Sequence, residues 1–261
     1  PVEQFLYIGQ ALTADEFTNY IATYDIGSVP PNYIVIHHTA IPWTQRTKIG
    51  TGWGWDTNEE GKSGEQIKAK RLSQLQAMRE YYRTAPTLFW DRGPHLFIDD
   101  KYIYLFTPMY HKGIHAGNGN SYVDQDGTEQ YSVGIEVVGY YDGQKWPDET
   151  ARLVGHAVAV MKRAWGTFDI RHQAWGGGIS MHRDYPTPKT CPGSAITPDY
   201  FIPVFQQAME RLERGGDTAP SMTLTPDSPL HGGASGSREQ VAVYLKRTLP
   251  DGHEYTDQDV D

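Results

Sequence analysis

The chain's single cysteine sets the first limit on its architecture. With Cys191 alone no intrachain disulfide can form, so a buried apolar core has to hold the fold. The cysteine sits nine positions after His182, in a loop stiffened by Pro186, Pro188 and Pro192, with Lys189 two residues before it. The flanking Lys-Thr-Cys-Pro-Gly is polar and turn-forming, which suits a ligand or a nucleophile better than a core thiol. A histidine and a cysteine joined by a stiff loop can place one nitrogen and one sulfur on the same metal ion. Zn²⁺ accepts that mixture in tetrahedral geometry. A third ligand is available in Tyr33-Ile-Val-Ile-His37-His38, an apolar run that reads as a buried strand ending in two histidines. Three protein ligands leave a fourth position for water, the pattern of a catalytic zinc.

The 261 residues suffice for one large domain, or one domain with an appendage. A net charge of −9 argues against nucleic acid or an anionic membrane as the main partner. No apolar run approaches the roughly 20 residues that span a bilayer. The first residues lack a signal-peptide pattern, so a removed leader or a start inside a longer protein is expected.

Thr13-Ala-Asp-Glu16 reads as a capping box opening a helix through Tyr24. After the strand at Tyr33 to His38 comes a long irregular stretch, Ile41 to Gly64, with Trp43, Trp53 and Trp55. The spacing of Leu72, Leu75, Met78 and Tyr82 predicts a helix over Glu65 to Thr84. His95 to Asp99 and Tyr102 to Phe106 read as a hairpin, and Ser132 to Val138 as another strand. Pro147 to Trp165 is strongly amphipathic and stops at Gly166. A last helix opens at Thr197-Pro198 and runs to Gly215-Gly216, with Pro203 expected to kink it or detach its first turn. Strands interleaved with helices predict an α/β fold, a central mixed β-sheet flanked by helices. Residues 1–216 form the expected catalytic domain (core 33–214), 217–237 a linker rich in Thr, Pro, Ser and Gly, and 238–261 a tail or the start of a second module.

Side chains alternate along a strand, so His37 and His38 point to opposite faces and spacing alone does not choose between them. Glu136, inside Val133-Gly-Ile-Glu-Val-Val138, is a carboxylate in a buried run, where an unpaired charge is costly. Beside a metal-bound water it could take a proton. His38, His115, Trp53 and Trp55 are expected to line a substrate groove.

Four ordered segments together carry a resemblance: Ile34-Val-Ile-His-His-Thr-Ala40, Gly113-Ile-His-Ala-Gly117, Ser132-Val-Gly-Ile-Glu-Val-Val138, and His182-Arg-Asp followed by Lys-Thr-Cys-Pro-Gly193. The set, covering roughly Tyr33 to Arg214, resembles the type-2 zinc N-acetylmuramoyl-L-alanine amidases of phage endolysins and bacterial autolysins, relatives of the peptidoglycan recognition proteins. The resemblance implies that fold, one Zn²⁺ on His37, His182 and Cys191, and Glu136 and Lys189 as catalytic residues. It implies peptidoglycan stem peptides as the partner and the bacterial cell wall as the place of action, after secretion or phage lysis. Two features depart from the pattern. Pro94 stands where some phage members have a catalytic tyrosine, which implies the glutamate variant of the site. The ligand loop is one residue longer near Tyr185 to Pro188 than in many relatives.

Two other functions compete. One is a non-catalytic peptidoglycan-binding module on the same fold; such members lose a ligand, often the cysteine. The other is a Cys-His peptidase with Cys191 as nucleophile, against which Pro192 removes a backbone donor that an oxyanion hole could use.

Overall fold

Alternation along Tyr33-Ile-Val-Ile-His-His38 sends Tyr33, Val35 and His37 to one side and Ile34, Ile36 and His38 to the other. All six are buried, so the strand they form is covered on both faces. In the computed structural model, which describes residues 4–40, 59–186 and 189–215, this strand lies inside a seven-stranded mixed sheet. The strands are β1 (Gln10–Leu12), β2 (Tyr33–His38), β3 (Leu96–Ile98), β4 (Ile103–Leu105), β5 (Ser121–Val123), β6 (Glu129–Val137) and β7 (Ile179–Met181). Their order is β1-β4-β3-β6-β2-β7, with β5 paired to β6 off that path. β2 runs parallel to β6 and β7, and β3 parallel to β6. The β1–β4, β3–β4 and β5–β6 pairs are antiparallel.

The helices are α1 (Ala14–Ala22), α2 (Gly64–Thr84), α3 (Asp148–Trp165) and α4 (Pro198–Glu213). Thr13 caps α1 in the expected box with Glu16. Ser63 does the same for α2 with Gln66, so the helix begins at Gly64, one residue ahead of the expected start. Gly166 ends α3 with φ of 68°, a left-handed turn glycine adopts without strain. Helix α4 runs unbroken through Pro203. The missing N–H orphans only the carbonyl of exposed Asp199 in the first turn, where water can replace the bond.

The two faces of the sheet differ in chemistry. Ile34, Ile36, Val133, Ile135, Leu96, Ile98 and Ile179 pack against Phe17 and Ile21 of α1, Leu153, Val154 and Val158 of α3, and Phe201 and Phe205 of α4. Each fully buried side chain of this kind contributes roughly 1.5–3 kcal/mol, so this larger cluster supplies most of the stability. The opposite face is covered by α2, through Leu75 against Phe97, Tyr104 and Phe106. There the sheet can present polar groups. Among the described residues no helix is long and apolar enough to cross a membrane.

Helix α2 is tied down by a buried arginine. The Arg71 guanidinium donates to Asp99 Oδ2 and Asp100 Oδ1 at 2.7 Å each, and forks onto Glu59 at 2.8 and 2.9 Å. Burial raises the Asp99 carboxyl above its ordinary value and Arg71 opposes this. Arg71→Met should therefore destabilise the protein by about 3–5 kcal/mol, the cost of stranding a buried charge. A matching drop in the urea midpoint checks it; a change under about 1 kcal/mol would mean that water takes over the arginine's role.

Candidate metal and catalytic site

The polar face of the sheet carries a line of titratable side chains. His37 is the penultimate residue of β2, aligned with Glu136 on β6, which in turn aligns with Phe97 on β3. His182 follows β7 directly and opens a short 3₁₀ turn, His182–Asp184. Arg183 folds the following loop back. Its backbone N–H donates to the Cys191 carbonyl at 3.0 Å. Its guanidinium donates to the carbonyls of Thr190 at 3.1 Å and Gly193 at 2.8 Å, and to that of Ile196. Asp184 holds the other side, accepting from the Met181 N–H at 2.7 Å and lying 2.8 Å from His172 Nε2. These clamps return Cys191 to His182.

The structure brings His37, His182 and Cys191 together, with one donor atom from each mutually within 4.8 Å. His37 Nδ1 is 2.9 Å from His182 Nδ1 and 3.6 Å from Cys191 Sγ. Zinc–nitrogen and zinc–sulfur bonds at tetrahedral angles separate the same atoms by about 3.3 and 3.6 Å, so the cluster is already close to that shape. All three side chains are buried. Burial, with neighbouring His182, His115 and Lys189, holds the His37 imidazole well below its ordinary pKa; burial and then Lys189 push His182 down to about 3. Both rings are therefore neutral and can offer lone pairs. Burial lifts the Cys191 thiol well above its ordinary value, against the pull of the His38 backbone N–H, Lys189 and Arg183. A buried neutral thiol is a poor nucleophile, whereas a bound dication would hold it as thiolate. This donor set fits a metal ion.

Glu136 Oε1 lies 3.9 Å from His37 Nδ1, and its side chain is 15% exposed. Its Oε2 is buried without a hydrogen-bond partner among the described residues. Burial pushes the carboxyl up to about 8, with Lys189 pulling the other way. Lys189, partly exposed, acts electrostatically on His37, His182, Glu136 and Cys191 alike, so its positive charge bears on the whole cluster.

His38 stays outside the cluster. On the opposite face it accepts from the Tyr141 N–H at 3.2 Å and stacks on Tyr140. The structure places His115 behind His37, its Nδ1 3.0 Å from His37 Nε2. Trp43, Trp53 and Trp55 lie outside the described residues. Pro94 and His95 lead into β3, and the Pro94 carbonyl accepts from the Thr107 N–H.

A family model described as N-acetylmuramoyl-L-alanine amidase matches residues 27–194. The chain belongs to that amidase family. The span shared with the amidases contains His37, Glu136, His182, Lys189 and Cys191. No curated protein matches the chain. Among solved structures it is similar to a Drosophila PGRP-LB tyrosine-to-phenylalanine mutant in complex with tracheal cytotoxin, at 16% identity over 66% of this chain and 80% of that one, TM-score 0.42. It is similar to the LysCS endolysin amidase of Clostridium intestinale at 17% identity, covering 71% and 85%, TM-score 0.39. It is also similar to a selenomethionine derivative of AmpD at 18% identity, covering 67% and 84%, TM-score 0.39.

Several supporting residues carry no sequence signal of their own. Arg183, Asp184 and Ser132 act through contacts 3 to 17 residues away that follow no helical or strand period; only the glycines from Gly113 to Gly119 hint that something packs closely there. His95 is another. Its Nδ1 accepts from the Gly134 N–H at 3.0 Å and its Nε2 faces the His111 carbonyl at 2.8 Å, so the ring is neutral with its proton on Nε2. Burial lowers it from 6.5 to about 4. The unfolded chain takes up this proton first as pH falls. His95 stabilisation is thus complete above pH 6.5 and lost as the pH drops toward 4, a total of about 3 kcal/mol. Urea unfolding of the metal-free protein at pH 7 and 4.5 should show a smaller loss in His95→Asn than in wild type; equal losses would reject this assignment.

Proposed function

We propose that the chain hydrolyses the amide bond between the lactyl group of N-acetylmuramic acid and L-alanine of the peptidoglycan stem peptide, with one zinc ion on His37, His182 and Cys191. The observation that carries this reading is a three-donor cluster with, beside it, a buried carboxylate oxygen that has no partner among the described residues. Zinc bound there would supply Lewis-acid polarisation and acidify water. Glu136 takes the proton from the attacking water and later delivers it to the departing alanine nitrogen. Its burial makes the carboxylate a stronger base than an exposed glutamate, as this role requires. The Lys189 ammonium stabilises negative charge developing on the scissile carbonyl oxygen. The neutral His37 and His182 rings keep their lone pairs for the ion, while the β2–β6 pairing keeps Glu136 beside His37 and the Arg183 clamp holds the cysteine loop.

A binding-only module would need neither three converging donors nor Glu136, and a thiol peptidase would need an accessible, ionised Cys191. We further propose action at the bacterial cell wall, with residues 217–237 as a linker and 238–261 as a tail or the start of a further module; both segments lie outside the described residues. Mass spectrometry of muropeptides from digested sacculi tests the central reading. Free stem peptides beginning with an L-alanine amine, beside intact glycan strands, are expected. Cleaved glycan or cleaved cross-links would assign another reaction, and binding without any product would leave the module reading.

A further inference from the structure

Behind the donor cluster three side chains run in line. His37 Nε2 lies 3.0 Å from His115 Nδ1, and His115 Nε2 lies 3.3 Å from the Ser132 hydroxyl. The Ser132 hydroxyl donates its one proton to the Gly119 carbonyl at 2.9 Å, an atom that can only accept. The Ser132 oxygen is then the acceptor for His115, which puts a proton on His115 Nε2. A neutral imidazole carries a single N–H, so His115 Nδ1 is a bare lone pair. The proton in the 3.0 Å contact therefore belongs to His37 Nε2. That leaves the His37 lone pair on Nδ1, the atom facing His182 and Cys191.

The local structure is built to hold this order. The N–H groups of His115 and Ala116 both donate to Asn120 Oδ1, at 3.0 and 2.7 Å, which sets the loop. The His115 ring lies flat over Gly134, where an added Cβ would meet ring atoms at 2.5 Å. Both nitrogens of His115 are engaged inside the protein, and the ring is buried, leaving neither for a substrate.

We propose that His115 is a positioning residue: with Ser132 and the Gly119 carbonyl it forms a proton-ordered relay that locks His37 in its Nε2–H tautomer and aims Nδ1 at the metal. The proposal rests on reading His37 as a metal ligand. Partners of this kind fix the tautomer and orientation of a ligating histidine and raise its basicity.

Long-range ¹H–¹⁵N correlation of the imidazoles in the labelled full chain, metal-free and zinc-loaded, reads the relay directly. His37 and His115 should both carry their proton on Nε2. A proton on His37 Nδ1, or a bare His115 Nε2, overturns the proposal. Zinc affinity, measured by competition with a chromophoric chelator, should fall roughly 10- to 100-fold in His115→Ala. The loss should be smaller in Ser132→Ala and partly recovered in His115→Gln, whose amide oxygen can accept from His37. Unchanged affinity in a His115→Ala variant with wild-type circular dichroism would overturn the proposal. Should that variant fail to fold, Ser132→Ala and the wild-type tautomers decide. Should the wild type bind no zinc, the metal reading fails instead, and the metal-free tautomers still judge the relay.

Discussion

Glu136→Gln is expected to lower turnover by about 10²- to 10⁴-fold, the range for a positioned acid–base group, with little change in zinc affinity. Glutamine fills the same space on β6, so packing against its neighbours survives. What disappears is the ability to take a proton: an amide oxygen accepts a hydrogen bond but stays unprotonated near neutral pH. The carboxylate Oε1 is 3.9 Å from His37 Nδ1, too far for a hydrogen bond to it. Removing its charge should therefore act on chemistry more than on metal binding. The check is kcat on soluble muropeptides alongside metal titration of the same preparation. Wild-type turnover would remove Glu136 from the mechanism, and loss of both zinc and turnover would reassign it to the metal.

Removal of the metal should have a still larger effect. Chelation is expected to reduce release of stem peptides to background, with zinc restoring it, and Cys191→Ala should not be rescued by added zinc. The sulfur is the donor that only a cation keeps ionised in its buried setting, so its loss removes both a ligand and a negative charge. Stability offers a second readout. At a free zinc concentration 100 times the dissociation constant, binding stabilises the native state by about 2.7 kcal/mol, and a thermal shift of that size should be seen in wild type and missing in Cys191→Ala. An enzyme that resists chelators and is blocked by thiol alkylation would instead support Cys191 as nucleophile.

Much of the scaffold is legible in local patterns. Tyr33 to His38 reads as a strand because an apolar run ends in polar residues, and β2 has those bounds. The boxes at Thr13 and Ser63 and the glycine at 166 are short-range devices, so helix ends follow from a few neighbours. Strands β1, β5 and β7 have three residues each, as do β3 and β4, but lack the longer β-rich runs (His95 to Asp99, Tyr102 to Phe106) that make those two legible; they exist because neighbouring strands supply the hydrogen bonds. The first turn that Pro203 is expected to detach stays part of α4, because the one missing bond falls at the exposed Asp199.

The site divides in the same way. Alternation separates His37 from His38, but only the arrival of His182 and Cys191 on one face shows which histidine joins them. Nothing near Arg183 in the chain announces that its guanidinium gathers three carbonyls around the cysteine loop. Nor does the Gly113 to Gly117 segment show that His115 turns toward His37.

The seating of the two imidazoles at the ends of adjacent parallel strands, His37 within β2 and His182 just past β7, has a further consequence. His37 and His182 each follow the paired residues Ile36 and Met181, so their spacing is inherited from the pitch of the sheet, about 4.8 Å between neighbours. A scaffold secured by aliphatic packing on its far side keeps that pitch whether or not an ion is present. Unlike a zinc finger, which collapses on demetallation, a seat of this kind is expected to survive emptying: the metal-free protein should keep its circular dichroism.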